Sequence, residues 1–320
     1  MAVYTSVPVP ALEALLAQYG IGEARTLEPI AEGVENSNFR LDTTTGRYIL
    51  TIYEKRVDPA DLPFFLTLMD HLAKHGIACP VPIHDRHGRS LQRLCGKPAA
   101  IVSFLDGRSP KRIDAARCAA LGATLASLHQ AVGDFAGYRA NALSVTSWRP
   151  LFEACRQSPT PPSAELADTI AQALDDLERN WPQALPSGVI HADLFPDNVF
   201  FAGDRVTGVI DFYFACSDRF AYDVAICLNA WCFEGRAEFN LAKSRALLAG
   251  YQAVRPLEPA EIEALPVLCR GAATRFLLTR LFDWLNQVDG ALVKPKDPME
   301  YARKLAFHRR VEEPAAYGLD

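Results

Sequence analysis

Apolar residues recur at helical spacing at Leu12, Leu15, Leu16 and Tyr19, and the run stops at Gly20, so a short amphipathic helix is predicted at 10–19. Three strand-like runs come next: Thr26 to Ile30, Phe39 to Leu41, and Tyr48 to Tyr53, with a Thr/Gly turn at 43–46. A polar loop holding Gly33, Asn36, Ser37 and Asn38 separates the first two strands. Leu62, Phe65, Leu66, Met69, Leu72 and Ala73 then share one helical face, with Pro63 in the first turn and Gly76 past the end. Short strands are expected near 83–85, 89–94 and 98–104. The first three strands read in meander order, and the first hundred residues as a small sheet with one helix. Phe104-Leu-Asp-Gly107 reads as a connector into a helical region.

Beyond Asp114 the periodicity is mainly helical. Cys118, Leu121, Leu125 and Leu128 form one helix face ending near His129. Leu166, Ile170, Leu174, Leu177 and Trp181 form another, after a proline-rich loop at 159–162. Further helices are predicted near 219–233, 238–253, 259–287 and 298–310. No internal repeat or low-complexity tract is present. The fold class expected is α+β, with a sheet-bearing lobe at 1–105 and a mainly helical lobe at 106–320.

One stretch interrupts the helical half. Gly188 to Phe201 and Gly208 to Phe212 read as an apolar strand, a polar turn, a short strand, a Gly203-Asp204 reversal, and an apolar strand ending in Asp211. If the reversal centres on Gly203-Asp204, Asn198 and Asp211 fall nearly opposite one another at the open end of the hairpin. Facing residues on paired strands lie about 4.5–5.5 Å apart at Cα, close enough to share one hard cation. Asp193 precedes Asn198 at the same mouth.

Composition narrows the function. The chain has 320 residues, 49% hydrophobic and 22% charged, with a net charge of −5. That charge argues against nucleic acid as the partner, since phosphate-backbone binding needs a concentrated basic surface. The eight cysteines include no Cys-x-x-Cys pair and lie mostly in apolar runs, which points to buried reduced thiols rather than disulfides or zinc. No Lys or Arg precedes Arg25, and no uninterrupted apolar stretch is long enough to cross a bilayer. A cytoplasmic protein with no membrane partner is expected. Oligomeric state is left open.

Phosphoryl transfer needs the γ-phosphate aligned with an acceptor hydroxyl, Mg²⁺ spanning the phosphates, and a base for the hydroxyl proton. His191-x-Asp193-x₄-Asn198, followed by an apolar strand ending in Asp211, matches the kinase catalytic signature in spacing and context. Asp193 is the candidate base, and Asn198 and Asp211 are the candidate metal ligands. His191 belongs to the same catalytic group, as a buttress of the loop. Taken singly, each residue reads as a turn former or solvated acid; the combination is what points to a kinase. The 33–38 loop offers backbone N–H groups to a phosphate. With one glycine, it reads equally well as a solvated hairpin turn.

These residues, together with Ala221-Tyr-Asp-Val-Ala225, resemble the aminoglycoside phosphotransferase/choline kinase superfamily. Glu32 to Phe39, Tyr48 to Lys55, Leu62 to Phe65, Ile210 to Ala215 and Cys227 to Phe233 narrow the resemblance to its homoserine kinases. It extends from about residue 2 to about residue 310. The resemblance implies a bilobal protein-kinase-like fold with ATP bound between the lobes. The implied ATP contacts are Gly33, Asn36, Ser37, Asn38, Ile49 and Thr51, with Phe104 and Leu105 at the connector. It also implies Mg²⁺ as cofactor and L-homoserine as acceptor, giving O-phospho-L-homoserine on the route to threonine. Asp223 would tie its helix to the catalytic loop.

One departure stands out. The wider fold places a Lys on the third strand, paired with a Glu on the next helix. Here Thr51 takes the Lys position, Lys55 lies about 13 Å further along, and no Glu occurs at 60–75. Loss of both partners is self-consistent, because either alone would be a costly buried charge. Candidates for the acceptor pocket are Tyr213, Asn229, Trp231, Arg275, Arg280 and Asp283. Arg280 and Asp283, three apart on one helix, read equally as an internal ion pair. Other readings are a kinase for another amino alcohol, sugar or aminoglycoside, and a nucleotide-binding pseudokinase. A protein kinase fits less well, since no activation-loop-like segment separates Asp211 from the helix at 219.

Overall fold

The computed structural model describes residues 4–30, 36–54, 57–287 and 295–319. Gly33 and Lys55 lie outside these residues. The chain forms two compact units. The first comprises 1–107, 135–137 and 207–213; the second comprises 108–134, 138–206 and 214–320.

The first unit is organised on an antiparallel sheet. Its strands are β1 (Ala24–Pro29), β2 (Ser37–Thr43), β3 (Arg47–Ile52), β4 (Leu91–Leu94) and β5 (Lys97–Ser103), in spatial order β1-β2-β3-β5-β4. Alternation along β2 turns Phe39 and Leu41 inward and leaves Arg40 and Asp42 half-buried, as the pleat requires. Helix α1 (Val9–Leu16) supplies Leu12, Leu15 and Leu16 to the same core, where they join Leu50, Ile52 and Ile101. Helix α2 (Leu62–Lys74) buries Leu62, Phe65, Leu66, Met69 and Leu72, the face predicted from their spacing. The expected strand at 83–85 is absent. An isolated bridge joins Pro82 to Val102 and Ile83 N donates to Ile101 O at 2.8 Å, but Asp85 N turns to Arg89 O at 2.9 Å and the pairing goes no further; Pro80 and Pro82, just before, carry no N–H.

The second unit is helical, with short two-stranded ribbons. Its helices are α3 (Ala115–Ala131), α4 (Val145–Arg156), α5 (Ala164–Asn180), α6 (Phe220–Trp231), α7 (Leu241–Gln252), α8 (Pro259–Leu285) and α9 (Pro298–His308). Helix α8 is the centre of the packing and touches α4, α5, α6 and α9. Helices α3 and α7 cross closely at two glycines. A Cβ on Gly122 would sit 2.0 Å from Leu247 O, and one on Gly250 would sit 2.1 Å from Ala119 O. The periodicity does not predict α4, because Pro150 lies inside it and it buries few side chains, Trp148, Phe152 and Cys155 among them.

More β-structure occurs here than the hydrophobic pattern predicts. Strand β6 (Ser187–Ile190) pairs with β9 (Cys216–Arg219), in register from Ser187–Arg219 to Ile190–Cys216. Strands β7 (Val199–Ala202) and β8 (Arg205–Val209) form the expected hairpin, with Gly203 at φ 62° in the reversal. β10 (Phe233–Glu234) and β11 (Glu238–Phe239) make a third ribbon. The Gly203-Asp204 turn is tied to the start of α3: Arg117 pairs with Asp204 at 3.2 Å and donates to Gly203 O at 3.3 Å.

All eight cysteines are free thiols, and all but Cys95 are buried. Among the described residues, no helix is long and apolar enough to cross a membrane.

Candidate active site

Strand β6 runs out at Ile190, where its partner β9 begins, and the chain enters the loop from His191 to Asn198. Six backbone groups at the start of that loop, the N–H of residues 191–193 and the C=O of residues 192–194, have side-chain or backbone partners. The N–H groups of His191 and Ala192 donate to the two carboxylate oxygens of Asp223, at 2.7 and 2.9 Å. The N–H of Asp193 donates to His191 Nδ1 at 3.3 Å. The carbonyl of Ala192 accepts from Arg275 Nη1 at 2.5 Å. Asp193 O accepts from Phe195 N at 2.8 Å and from Asn198 Nδ2 at 2.9 Å. Leu194 O accepts from Trp231 Nε1 at 2.8 Å.

These hydrogen bonds give the loop its shape. Ala192 sits at φ 62°, a left-handed conformation costing an L-residue about 1–2 kcal/mol. Bonds on both sides of that residue hold it there. The Asp193 carboxylate is half-buried and accepts from Asn198 Nδ2 at 3.3 Å. With the Asn198 amide nitrogen engaged by Asp193, its Oδ1 makes no hydrogen bond among the described residues. That atom is a hard oxygen suited to Mg²⁺. His191 is fully buried, and its Nδ1 serves as an acceptor within the loop.

Asp223 lies in the first turn of α6 and has no exposed surface. Burial pushes its carboxyl upward, but the hydrogen bond from His129, the charges nearby and the His191 N–H outweigh burial, and the net shift is downward. It is therefore an ionised acceptor for loop N–H groups. His129 Nε2 lies 3.2 Å from Asp223 Oδ2, and His129 Nδ1 lies 2.8 Å from the Tyr251 hydroxyl. Spacing alone puts His129 on the apolar face with Leu121, Leu125 and Leu128, and a polar ring on that face is the signal of a buried partner.

In the first unit, the polar loop residues turn inward. Asn36 Oδ1 accepts from Glu54 N at 3.3 Å. Ser37 is fully buried; its Oγ donates to Glu54 Oε1 at 2.7 Å and accepts from Tyr4 N at 2.8 Å. Asn38 Oδ1 accepts from Thr51 Oγ1 at 2.8 Å, and Thr51 is 3% exposed. A Lys–Glu pair exists here between Lys97 of β5 and Glu54, which follows β3. The sequence offers no spacing rule that joins those two. Ile49 pairs in register with Arg40 and Val102, and Phe104 and Leu105 follow β5 half-buried, with Arg47 over the Phe104 ring at 5.0 Å. Asp211, two residues past β8, takes φ 66° and is half-buried. Tyr213 pairs its hydroxyl with Tyr53 at 3.2 Å, and burial raises its phenol to about 12.

Of the remaining acceptor-pocket candidates, three are committed to protein backbone. Asn229 is fully buried and donates to Ala225 O and Cys269 O. Trp231 and Arg275 brace Leu194 and Ala192. Arg280 pairs with Glu300 of α9 at 2.7 Å and lies over the Tyr301 ring, while Asp283 is exposed.

A family model described as the phosphotransferase enzyme family matches residues 26–257. The homoserine kinase of Methylobacterium nodulans is 61% identical over 318 residues, covering 99% of each chain. That of Parvibaculum lavamentivorans is 60% identical over 320 residues, the whole of both. Among solved structures, an amicoumacin kinase, hAmiN, in complex with AMP-PNP, Ca²⁺ and Ami superposes with TM-score 0.71 at 18% identity, over 94% of this chain and 91% of that one. A microcompartment-associated aminopropanol kinase gives TM-score 0.71 at 18% identity, over 98% and 99%. The fold is thus the α+β kinase-like one, with a small antiparallel sheet and a mainly helical unit.

Proposed function

The chain belongs to the phosphotransferase enzyme family and is a small-molecule kinase; on that premise we propose that it phosphorylates the hydroxyl of L-homoserine with ATP. The observation that carries this reading is the identity of about 60% with homoserine kinases along the full chain.

In the proposed step, Asp193 accepts the proton of the homoserine hydroxyl as that oxygen bonds to the γ-phosphorus. The bond from the γ-phosphorus to the β,γ-bridging oxygen breaks, and ADP leaves with its electron pair. O-phospho-L-homoserine and ADP are the products. The half-buried Asp193 carboxylate, oriented by Asn198, supports the assignment of the base, because a general base must be held within hydrogen-bond reach of the proton it takes. Asn198 and Asp211 would hold Mg²⁺, which neutralises phosphate charge when bound. His191 and Asp223 keep the loop in one shape. In the first unit, Thr51 contributes no charge, so Asn36, Asn38 and neighbouring backbone are assigned the nucleotide side.

An acceptor panel tests the substrate. Steady-state kcat/KM with L-homoserine should exceed that with aminopropanol, choline, L-serine and an aminoglycoside by at least about 100-fold, since only the true acceptor uses the full transition-state binding energy. Higher kcat/KM for any of the others overturns homoserine while keeping the kinase.

A further inference from the structure

Ala192, between His191 and Asp193, is held from two helices at once. Its N–H is bound by Asp223 of α6 and its carbonyl by Arg275 of α8. The family resemblance implies only the first hold. Arg275 is 2% exposed, and its guanidinium lies 4.6 Å from the Phe276 ring centroid and 5.8 Å from that of Phe214. No carboxylate among the described residues pairs with it, and its Nε has no hydrogen-bond partner among them. A buried cation without a counter-ion is expensive to keep. Its short hydrogen bond falls on the carbonyl of a residue in a conformation that alanine avoids.

We propose that Arg275 is a positioning residue that holds Ala192 in its left-handed conformation and thereby sets the direction of the Asp193 side chain. The bond to Arg275 fixes the peptide plane between Ala192 and Asp193, and that plane determines where the Asp193 Cα–Cβ bond points. Asp223 fixes the preceding plane; in this one the Asp193 N–H has the longer 3.3 Å bond to His191 Nδ1, and Arg275 supplies the shorter hold. Arg275 thus acts through Ala192 and does not touch the acceptor. The inference rests on Asp193 being the base of the proposed reaction.

The test uses the full-length enzyme with ATP, Mg²⁺ and L-homoserine. Arg275→Met should lower kcat by about 100-fold, the scale on which an ångström of misplacement acts, with both KM values within about threefold of wild type. Adding Ala192→Gly to R275M should restore kcat by about tenfold, because glycine populates the left-handed region without the penalty alanine pays. A structural role alone would lower the active fraction without this rescue by glycine. Wild-type kcat in R275M overturns the proposal, as does a tenfold or larger rise in homoserine KM at unchanged kcat, or a glycine that brings no recovery. If R275M does not fold, Arg275→Lys carries the test. Its point-charge ammonium lacks the planar reach of guanidinium, so kcat should fall about tenfold at constant KM, and an unchanged kcat overturns the idea. Absence of turnover in the wild-type enzyme would instead indict the homoserine reading itself.

Discussion

Asp223 Oδ2 accepts the backbone N–H of His191 at 2.7 Å, and neither residue has exposed surface. This bond joins α6 to the loop after β6, and it fixes the proton arrangement behind the loop. An ionised Asp223 can only accept, so His129 Nε2 carries the proton between them. His129 Nδ1 is then an acceptor, the Tyr251 hydroxyl donates to it, and the Tyr251 oxygen receives Arg255 Nη1 at 3.0 Å. Arg255 in turn pairs with Glu261 at 3.1 Å. One orientation of every proton satisfies the chain from Glu261 to the loop.

This arrangement makes stability depend on pH. Burial lowers the His129 pKa, and burial with nearby cations lowers that of His308 to about 3. The unfolded chain takes up these protons below about pH 6.5, whereas the folded chain refuses them, so more protons are bound in the unfolded state. Their contribution to stability is complete above about pH 6.5 and declines as pH falls below it. Urea unfolding between pH 7 and pH 4 should show stability falling with a slope approaching about 1.4 kcal/mol per pH unit from His308, to which His129 adds as the pH drops below about 6.5. A urea midpoint that stays constant over that range would contradict the neutral buried assignment.

Thr51→Lys should not restore a conventional phosphate-binding lysine. Thr51 is 3% exposed and bonded to Asn38, and α2 has no Glu to receive the new charge. An unpaired buried ammonium costs on the order of 3–5 kcal/mol. The variant should therefore lose that much in chemical unfolding and gain no affinity for ATP. Wild-type stability with tighter ATP binding would show that the site has room for the missing pair.

How far the sequence reaches can be judged from particular residues. The faces of α1 and α2, the β7–β8 hairpin and the long helix α8 are legible because each depends on spacing or on a turn signal such as Gly203-Asp204. Asp223 is legible as the residue tying α6 to the loop, through its motif. Trp231 and Arg275 are candidates for the acceptor pocket in the sequence, with a structural role equally open; the structure puts their donors on Leu194 O and Ala192 O. A side chain that seeks a distant backbone carbonyl leaves no periodic trace. Helix α4 escapes because Pro150 contradicts local propensity, which packing against α8 overrides.

The α3–α7 crossing makes a sharp prediction about packing. Gly122→Ala would drive its Cβ into Leu247 O, a backbone atom that cannot step aside without moving α7. A loss of about 2 kcal/mol or more is expected, within the range for overpacked cores. Differential scanning calorimetry should show a lowered Tm. An unchanged Tm would mean that the two helices do not approach this closely.

The assigned roles of Asp193 and Asn198 separate by readout. Asp193→Asn should reduce kcat by about 10²- to 10⁴-fold while ATP binding, followed by calorimetry, persists. Asn198→Ala should raise the Mg²⁺ concentration needed for half-maximal rate, since a hard oxygen ligand is lost. Unchanged turnover in D193N would remove Asp193 from the mechanism, and an unaltered Mg²⁺ titration would do the same for Asn198.

Transfer of phosphate to the homoserine hydroxyl is read directly by ³¹P NMR of a reaction containing the enzyme, ATP, Mg²⁺ and L-homoserine. A new phosphomonoester resonance, coupled to the methylene protons next to the homoserine oxygen and growing in step with ADP, is predicted. ADP accompanied by inorganic phosphate alone, or no ADP from the folded enzyme, would contradict it.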